Sequence, residues 1–302
     1  MINGIINVNK GAGFTSFDVV ARLRHIFGQK KIGHTGTLDP EATGVLPVCL
    51  GNATRVCELL MDETKTYEAL MRPGTVTDTQ DIWGQVLEQN EVTADFDEIK
   101  AALLSFVGEY EQIPPMYSAK KVGGKKLYEL ARQGVSVERK PARVKIFSID
   151  DILLHEDGCV SFSVTCSKGT YIRTLCHDTG VKLGCGACMA ALKRTRVGCF
   201  DLEDALTLEE IEDMAEKASD FSLLKEHIKT VDVLFETYPK VKIDEEHEKA
   251  LLNGNPLPLS VADLTGIGDG TFVRVYDHCG DFKAIYVCHS DKREFKPHKM
   301  FL

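Results

Sequence analysis

The sequence predicts an α+β protein with a mixed, largely antiparallel central sheet flanked by helices, followed by a small β-rich C-terminal domain. Strand-like and helical segments follow one another through the 302 residues without the regular strand–helix alternation of a doubly wound parallel sheet. From about Val231 onward, short apolar strands are separated by turns rich in Gly and Asp. We therefore place a larger domain at residues 1–232 and a small β-rich domain at residues 233–302.

The N-terminal elements are a short strand, a helix and a second strand. Gly4–Val8 is apolar and strand-like, and apolar residues recur at helical spacing over residues 17–27. Either Thr15 or Ser16 can cap the N-terminus of this helix, because a hydroxyl there accepts from a free backbone N–H. Val45–Leu50 is apolar throughout, as expected of a buried strand.

Later segments alternate between helix and hairpin. Asp95–Val107 carries apolar residues on one face, and Lys125–Gln133 is predicted to be a second helix that ends at a glycine. Arg143–Leu154 and Cys159–Cys166 alternate apolar and polar residues around a Glu-Asp-Gly turn, which predicts a β-hairpin. Thr207 with a glutamate three residues later forms a capping box that opens an acidic helix.

Charge is distributed unevenly along the chain. The formal net charge is −9, which by itself argues against a nucleic-acid partner. Residues 118–200, however, carry 15 Lys and Arg against seven Asp and Glu, whereas residues 201–302 carry 12 against 22. A basic segment inside an acidic chain is what a phosphate-binding surface would look like, although a solvated charged face would give the same count.

Membrane, metal and redox functions find little support in the sequence. No apolar run approaches the roughly 18 residues of a membrane helix, and the N-terminus does not resemble a signal peptide, so we expect a cytoplasmic protein with no membrane partner. Of the ten cysteines, Cys185 and Cys188 have metal-type spacing, but no second ligand pair follows them. A redox dithiol and a pair of ordinary buried thiols remain alternatives. Asp78 and Asp81, three residues apart, are weak evidence for a metal site.

The run of residues 33–47 is the strongest candidate for a functional site. It packs three glycines, two prolines, a histidine and one aspartate, Asp39, into fifteen residues. Glycine permits close backbone approaches and proline fixes φ, so such a loop has a defined shape. A carboxylate held in it suits nucleophilic or acid–base chemistry, and the plain alternative is a turn aspartate before Pro40.

Five segments resemble the TruB-type tRNA pseudouridine synthases, and residues 113–134 are one of them. The run GHTGTLDPEATGVLP at residues 33–47 is similar to the catalytic loop of that family. Lys65–Ala69 resembles its Lys-x-Tyr-x-Ala motif, and Gly169–Arg173 resembles its Gly-Thr-Tyr-Ile-Arg motif. Residues 191–198, which alone read as a helix end with basic residues, resemble its Leu-x-Arg-Thr-x-x-Gly segment.

The resemblance implies an activity and a set of partners. It implies the pseudouridine synthase fold and isomerisation of uridine 55 in the T arm of tRNA, with the T-arm stem-loop as partner. It implies a PUA-like RNA-binding domain at the C-terminus, no metal and no cofactor. A stand-alone enzyme that needs no guide RNA is expected, and we expect a monomer.

Roles for individual residues also follow from the resemblance. Asp39 matches the catalytic aspartate, and Tyr67 matches the tyrosine that stacks on the target base. Arg173 matches the arginine that pairs with the aspartate, which would favour the ionised carboxylate. His34 matches the histidine that helps to extrude the target nucleotide, since a side chain that fills the vacated stack lowers the cost of flipping.

The remaining residues implied by the resemblance support the active site or bind RNA. Leu192 matches the leucine that packs near the target base, and Lys10 matches a lysine near the active site, although Gly11 stands where the family usually has proline. The basic residues are candidates for phosphate contacts, through their charge alone. They are Lys120, Lys121, Lys125, Lys126, Arg194 and Arg196.

The chemical step and two rival functions stay open at this point. Asp39 could attack C1′, abstract a proton on the way to a glycal, or attack C6 of the base. A non-catalytic RNA-binding protein could use the same surface. An unrelated hydrolase could use Asp39 and His34 as a catalytic pair, and it would release free uracil.

Overall fold

The computed structural model describes residues 1–218 and 220–301, without the side chain of Lys121. Among these residues the helices are α1 (Ser16–Phe27), α2 (Cys57–Asp62), α3 (Phe96–Leu104), α4 (Leu127–Arg132), α5 (Ile172–Leu183), α6 (Leu208–Lys217) and α7 (Glu245–Leu252). The strands up to residue 126 are β1 (Gly4–Lys10), β2 (Ile32–His34), β3 (Thr43–Leu50), β4 (Lys65–Pro73), β5 (Thr75–Thr77), β6 (Val86–Gln89), β7 (Gly108–Gln112), β8 (Lys121–Val122) and β9 (Lys125–Lys126).

The later strands complete one large sheet and form a second one. They are β10 (Ala142–Leu154), β11 (Val160–Cys166), β12 (Ala187–Val197), β13 (Phe200–Asp201), β14 (Ile228–Lys229), β15 (Lys240–Lys242), β16 (Leu257–Pro258), β17 (Phe272–Tyr276), β18 (Phe282–His289) and β19 (Glu294–Met300). Within the described residues, ten strands form the large sheet. Eight of them follow the order β14-β1-β3-β12-β4-β11-β10-β7, with β2 beside β3 and β13 beside β12.

The large sheet is mostly antiparallel, and the place where it is parallel lies next to residues 33–47. Strand β12 runs antiparallel to β4 but parallel to β3, pairing Lys193 with Thr43 and Arg194 with Gly44. Helices flank the sheet, so the α+β prediction is confirmed. The hairpin predicted from alternating residues is also confirmed, because β10 and β11 pair antiparallel.

Two element predictions need correction. Residues 191–198 do not end a helix: up to Val197 they belong to β12, whose cross-strand pairing with β4 outweighs the weak local preference of a basic run. The helix predicted at Lys125–Gln133 begins only at Leu127. Lys125 and Lys126 form the second strand of a small hairpin, since Gly123 and Gly124 between the two strands adopt positive φ.

Apolar clusters pack on the sheet on both sides of the parallel contact between β3 and β12. Strands β4, β11 and β12 pack with α3 and α5 through residues that include Tyr67, Met71 and Leu175. Helices α1 and α6 pack on β1 and β3 through residues that include Val20 and Ile211. Of the two candidate caps of α1, Thr15 is the one observed, and its side chain accepts from the N–H of Asp18.

The C-terminal strands form a separate five-stranded sheet, ordered β15-β17-β18-β19-β16 among the described residues. It encloses an apolar core of its own that includes Val273 and Tyr286. A further cluster joins it to the large sheet, where Ile285 and Phe301 pack with Ile5 and Val45. In the described part of the chain, no helix has the length and apolar character needed to cross a membrane.

Candidate active site

The loop between β2 and β3 holds Asp39 by fixing the residues on either side of it. Before it, the backbone N–H of Leu38 donates to the hydroxyl of Ser16 over 2.9 Å. After it, the carbonyl oxygen of Pro40 accepts from the ammonium of Lys10 at 2.8 Å. Because Leu38 is bonded to Ser16 of α1 and Pro40 is bonded to Lys10 of β1, the backbone of Asp39 has little freedom to move.

Lys10 is fully buried, and it acts through backbone oxygens. Its ammonium also donates to the carbonyl oxygens of Gly11 and Phe14, at 2.9 and 2.7 Å. Burial lowers the pKa of Lys10 to about 8, and the nearby carboxylates Glu41 and Asp39 oppose that shift. The structure therefore places Lys10 next to the candidate site as an anchor of the loop.

Gly44 shows why this loop needs glycine where it meets β12. Its φ is +100°, in the region that side chains disfavour, and a Cβ there would lie 2.1 Å from the carbonyl oxygen of Arg194. A side chain at this position would force β3 and β12 apart at their parallel contact. The close approach keeps Asp39 beside the strand that carries Leu192.

Arg173 binds Asp39 through two parallel contacts. The Nε of Arg173 lies 2.9 Å from Oδ2 of Asp39, and its Nη2 donates to Oδ1 at 3.2 Å. Such a bidentate pair fixes the plane of the carboxylate as well as its position. The Arg173 side chain is only 4% exposed, whereas Asp39 is 39% exposed, so the carboxylate can still meet a substrate.

The rest of the Arg173 guanidinium is also bonded. Its Nη1 donates to the carbonyl oxygen of Thr79 at 2.9 Å and lies 3.4 Å from Oδ2 of Asp81. Its Nη2 donates to the carbonyl oxygen of Tyr117 at 2.8 Å. A buried guanidinium with two carboxylates and two carbonyl oxygens avoids the large cost of an unpaired charge. Asp81 is therefore a partner of Arg173 in an ion pair, rather than half of the metal site considered from the sequence.

Burial raises the pKa of Asp39 above its ordinary value of 3.8. The guanidinium of Arg173 opposes this rise, and the second carboxylate, Asp81, adds to it. The site thus combines a partly desolvated carboxylate with a cation that favours its ionised form. A desolvated anion is a stronger base and nucleophile than the same group in water.

Tyr67 and Leu192 lie on neighbouring strands close to the loop. Tyr67 on β4 is buried, and burial raises the pKa of its hydroxyl, so it is a neutral aromatic group at ordinary pH. Leu192 pairs with Ala69 two residues further along the same strand. Both side chains belong to the apolar cluster that contains Leu38 from the loop. Four of the five segments singled out in the sequence therefore meet in space.

Arg194 does not lie at the surface, so the prediction that it contacts RNA phosphates is wrong for this structure. The side chain is 1% exposed, and its Nε donates to the carbonyl oxygen of Val45 at 2.7 Å. A β-bulge explains the difference between the two arginines, because the extra residue between Arg194 and Arg196 reverses the strand alternation and leaves Arg194 buried and Arg196 exposed. Arg196 is exposed and remains a candidate for RNA contact.

His34 ends β2 at the entrance of the loop and is half-buried. Its Nδ1 accepts weakly from the backbone N–H of Gly36, at 3.4 Å. Burial lowers the pKa of His34, so the ring is neutral at pH 7. A neutral, flat ring can enter a stack of bases without bringing a charge with it.

The lysines predicted to bind phosphates follow Tyr117 in the chain, and the carbonyl oxygen of Tyr117 accepts a hydrogen bond from Arg173. Lys120 and Lys125 are exposed, and Lys126 is half-buried against the ring of Tyr128, 5.4 Å from its centre. The side chain of Lys121 lies outside the described residues. The exposed lysines follow Tyr117 within eight residues of the chain, which places their charge near the candidate site.

Three residues that support the site were missed or misread in the sequence: Asp81, Ser16 and Gln112. Asp81 was considered as a metal ligand, and Ser16 was considered as a helix cap. Gln112 is 1% exposed and bonds to the backbone of Tyr171, immediately before α5. Burial of an amide side chain is not readable from a single sequence, so no local signal could have identified Gln112.

Most of the cysteines are buried thiols. All ten are free thiols, and Cys185 and Cys188 are both buried. Burial raises the pKa of Cys188 to about 11, which disfavours the thiolate needed for redox chemistry.

Comparison with protein families identifies relatives along most of the chain. Residues 24–172 match the family model described as TruB family pseudouridylate synthase (N terminal domain), and residues 173–236 match the model of the tRNA pseudouridylate synthase B C-terminal domain. A tRNA pseudouridine synthase B of Lachnoclostridium phytofermentans is 49% identical over 100% of both chains. One of Clostridium perfringens is 42% identical over 100% of this chain and 99% of its own.

Solved structures with the same fold are complexes of a related protein. A Cbf5-Nop10-Gar1 complex contains a chain with a TM-score of 0.71 and 30% identity, over 99% of this chain and 85% of that one. An H/ACA RNP bound to a substrate RNA containing 2′-deoxyuridine gives a TM-score of 0.71 with 28% identity, over the same shares of the two chains.

Proposed function

The chain belongs to the TruB family of pseudouridylate synthases, and we propose that it converts uridine 55 in the T arm of tRNA to pseudouridine, with Asp39 as the catalytic group. Conversion of uridine to pseudouridine in tRNA is the activity of the family. The position in the T arm and the role of Asp39 are our proposal. One observation carries it: the carboxylate of Asp39 is held in a bidentate pair by the buried Arg173 and is still accessible.

The reaction exchanges one bond to the ribose for another. The N1–C1′ glycosidic bond breaks, the uracil turns, and C5 forms the new bond to C1′ while its proton is lost and N1 gains one. The product has the same atoms as the substrate, so the step needs no oxidant, reductant or cofactor. Asp39 can serve it as nucleophile at C1′, as base, or as nucleophile at C6, and each role requires the ionised carboxylate.

Arg173 supports all three roles in the same way. It favours the ionised form of Asp39 and fixes the direction of its oxygens, because two contacts define the carboxylate plane. Tyr67 offers a flat apolar face for the uracil, and Leu192 limits the depth of the site. The neutral ring of His34 at the loop entrance suits the gap that a flipped base leaves in the RNA.

Binding of the tRNA would rest on the exposed basic residues. Lys120, Lys125 and Arg196 provide charges that pair with phosphates, and these contacts position the RNA without reading its sequence. We further propose that the chain acts as a monomer without a guide RNA, and that the C-terminal sheet of residues 233–302 is a PUA-like RNA-binding domain.

Replacement of Asp39 by Asn tests the catalytic proposal directly. Asp39→Asn keeps the size of the side chain and can still accept from Arg173, but it removes the anion. We expect product formation on a T-arm stem-loop transcript to fall by at least about a thousandfold while RNA binding stays within about threefold. Asp97→Asn, an exposed aspartate in the first turn of α3, is the matched control and should react like the wild type.

The products distinguish the proposal from its two rivals. Pseudouridine is to be mapped at single-nucleotide resolution after a chemical tag that labels it, because isomerisation does not change the mass. If Asp39→Asn formed as much pseudouridine as the wild type, the catalytic role of Asp39 would be refuted. Free uracil released by the wild type would indicate a hydrolase. An RNA that binds to the wild type and stays unmodified at every uridine would indicate a non-catalytic binding protein.

A further inference from the structure

We propose that Trp83 stacks on an unpaired nucleobase of the substrate RNA that carries an exocyclic amino group, beside the target uridine. This inference deepens the proposed function and rests on it. Trp83 is the single tryptophan of the chain, and it is 51% exposed. It is not among the residues assigned to the catalytic step.

The backbone holds Trp83 next to the active-site ion pairs. The N–H of Trp83 donates to Oδ1 of Asp81 at 3.2 Å, and the other oxygen of Asp81 faces Arg173. One residue earlier, the N–H of Ile82 donates to the carbonyl oxygen of Met189 on β12 at 2.9 Å. Trp83 is thus an exposed aromatic ring on a fixed backbone, two residues from a carboxylate that contacts the catalytic machinery.

The Trp83 ring lines a groove of about 500 Å³ on the outer face of β4, β11 and β12. Glu41 and Thr43 from the catalytic loop line the same groove, so it is continuous with the candidate active site. Leu70 and Leu153 add apolar surface to its lining. A nucleobase fits a slot of this kind, because it is flat and its faces are apolar while its edge is polar.

The charges around the groove select which part of an RNA can enter. Three carboxylates, Glu41, Glu68 and Asp151, and one ammonium, Lys193, line it. The excess of negative charge repels phosphates, so the sugar–phosphate chain has to stay outside. Carboxylates accept hydrogen bonds, and they therefore favour a base with an amino group over uracil, which has none.

The fluorescence of the wild-type protein gives a direct test, since all tryptophan emission comes from Trp83. Stacking of a base on an indole quenches its emission. We expect titration with a T-arm stem-loop to quench Trp83 in step with RNA binding, measured in parallel by anisotropy of a labelled RNA. A protein that binds and isomerises this RNA with unchanged emission would overturn the inference and leave the proposed function intact.

Changes in the RNA identify the base. Each unpaired loop nucleotide other than the target is replaced in turn by an abasic one, and one replacement should abolish quenching. At that position, a base without the amino group (purine for adenine, hypoxanthine for guanine) should bind several-fold more weakly. Quenching that survives every abasic replacement would overturn the stacking contact, and equal binding without the amino group would overturn its proposed chemistry.

Variants of Trp83 separate stacking from structure. Trp83→Ala should weaken binding of the RNA about tenfold, and Trp83→Phe should restore most of the loss because phenylalanine also stacks. Leu104→Ala, at a partly exposed apolar residue of α3, is the control and should bind as the wild type does. Equal affinity of Trp83→Ala and the wild type would contradict the inference. If no variant, including the wild type, forms pseudouridine, the proposed function fails instead.

Discussion

Gln112 and Tyr171 exchange two hydrogen bonds although 59 residues separate them in the chain. The side-chain amide nitrogen of Gln112 donates to the carbonyl oxygen of Tyr171 at 2.9 Å, and the N–H of Tyr171 donates to the amide oxygen of Gln112 at 2.8 Å. Tyr171 precedes α5, whose second residue is Arg173. The end strand of the large sheet, β7, therefore sets the position from which Arg173 reaches Asp39.

We expect Gln112→Met to lower both stability and activity. The two backbone groups of Tyr171 would lose buried partners, which costs about 1–3 kcal/mol each, so urea should unfold the variant at a clearly lower concentration. The start of α5 would shift, and the rate of pseudouridine formation under saturating RNA should fall about tenfold or more. Gln112→Glu keeps the acceptor for the Tyr171 N–H and should lose less of the rate. Full activity in Gln112→Met would refute a positioning role.

A change at Asp81 should alter the pH dependence of the reaction. The charge of Asp81 raises the pKa of Asp39, so Asp81→Asn should lower that pKa and move the acidic limb of the rate profile to lower pH. Arg173 would lose one ion pair, and we expect the maximal rate to fall about 10- to 100-fold. Single-turnover rates across the acidic range measure both effects. A limb displaced to higher pH would contradict the assigned electrostatics.

Replacement of Arg196 should weaken RNA binding, whereas replacement of Arg194 should leave it nearly unchanged. Arg196→Ala removes an exposed charge, so we expect weaker binding and a salt dependence reduced by about one ion. Arg194→Met replaces a buried guanidinium with an apolar chain of similar length, and RNA affinity should stay within about twofold. Binding at several salt concentrations distinguishes the two variants. Equal loss in both would show that Arg194 reaches the RNA.

Lys10 and Lys65 should make the protein more stable as the pH rises above 8. Burial lowers the pKa of each from 10.5 to about 8, so between these values the unfolded chain binds more protons than the folded protein. The free energy of unfolding contributed by these groups therefore increases with pH over that window.

Urea unfolding at pH 7.5 and 9.5 measures this contribution. Replacement of Lys65 by Met should remove about half of the rise, because one of the two sites is lost. Lys100→Met, at an exposed position, should leave the rise unchanged. A rise that is identical in the wild type and in Lys65→Met would show that the buried lysine keeps its ordinary pKa.

The sequence was sufficient for the fold class and for the segments that meet at the site. The hairpin of β10 and β11, the cap at Thr15 and the buried strand β3 all follow from local patterns. Local patterns did not reveal β12, because its basic run takes its conformation from the pairing with β4. The prediction that Arg194 contacts RNA failed for the same reason, since a strand, unlike an exposed helix end, can bury a basic side chain on its inner face.

The partners of Arg173 show what the sequence alone could not supply. The motif around Arg173 and the loop around Asp39 indicated their pairing only through the resemblance to a family. Asp81 lies about 90 residues away in the chain, and its spacing from Asp78 pointed to a metal site rather than to an ion pair. Gln112, which holds the start of α5 through Tyr171, lies about 60 residues away and carries no pattern of its own. Their roles depend on tertiary hydrogen bonds to buried groups, and these become visible only when the strands are assembled.

The apolar cluster shared by the two sheets couples the C-terminal region to the catalytic one. Ile285 and Phe301 pack in one cluster with Ile5 and Val45, and Val45 belongs to β3, the strand that follows the Asp39 loop. Removal of residues 233–302 would expose this apolar surface to water, at a cost that scales with its area. The two regions should therefore unfold together, in one calorimetric transition. A shortened chain ending at residue 232 should aggregate rather than behave as an independent enzyme.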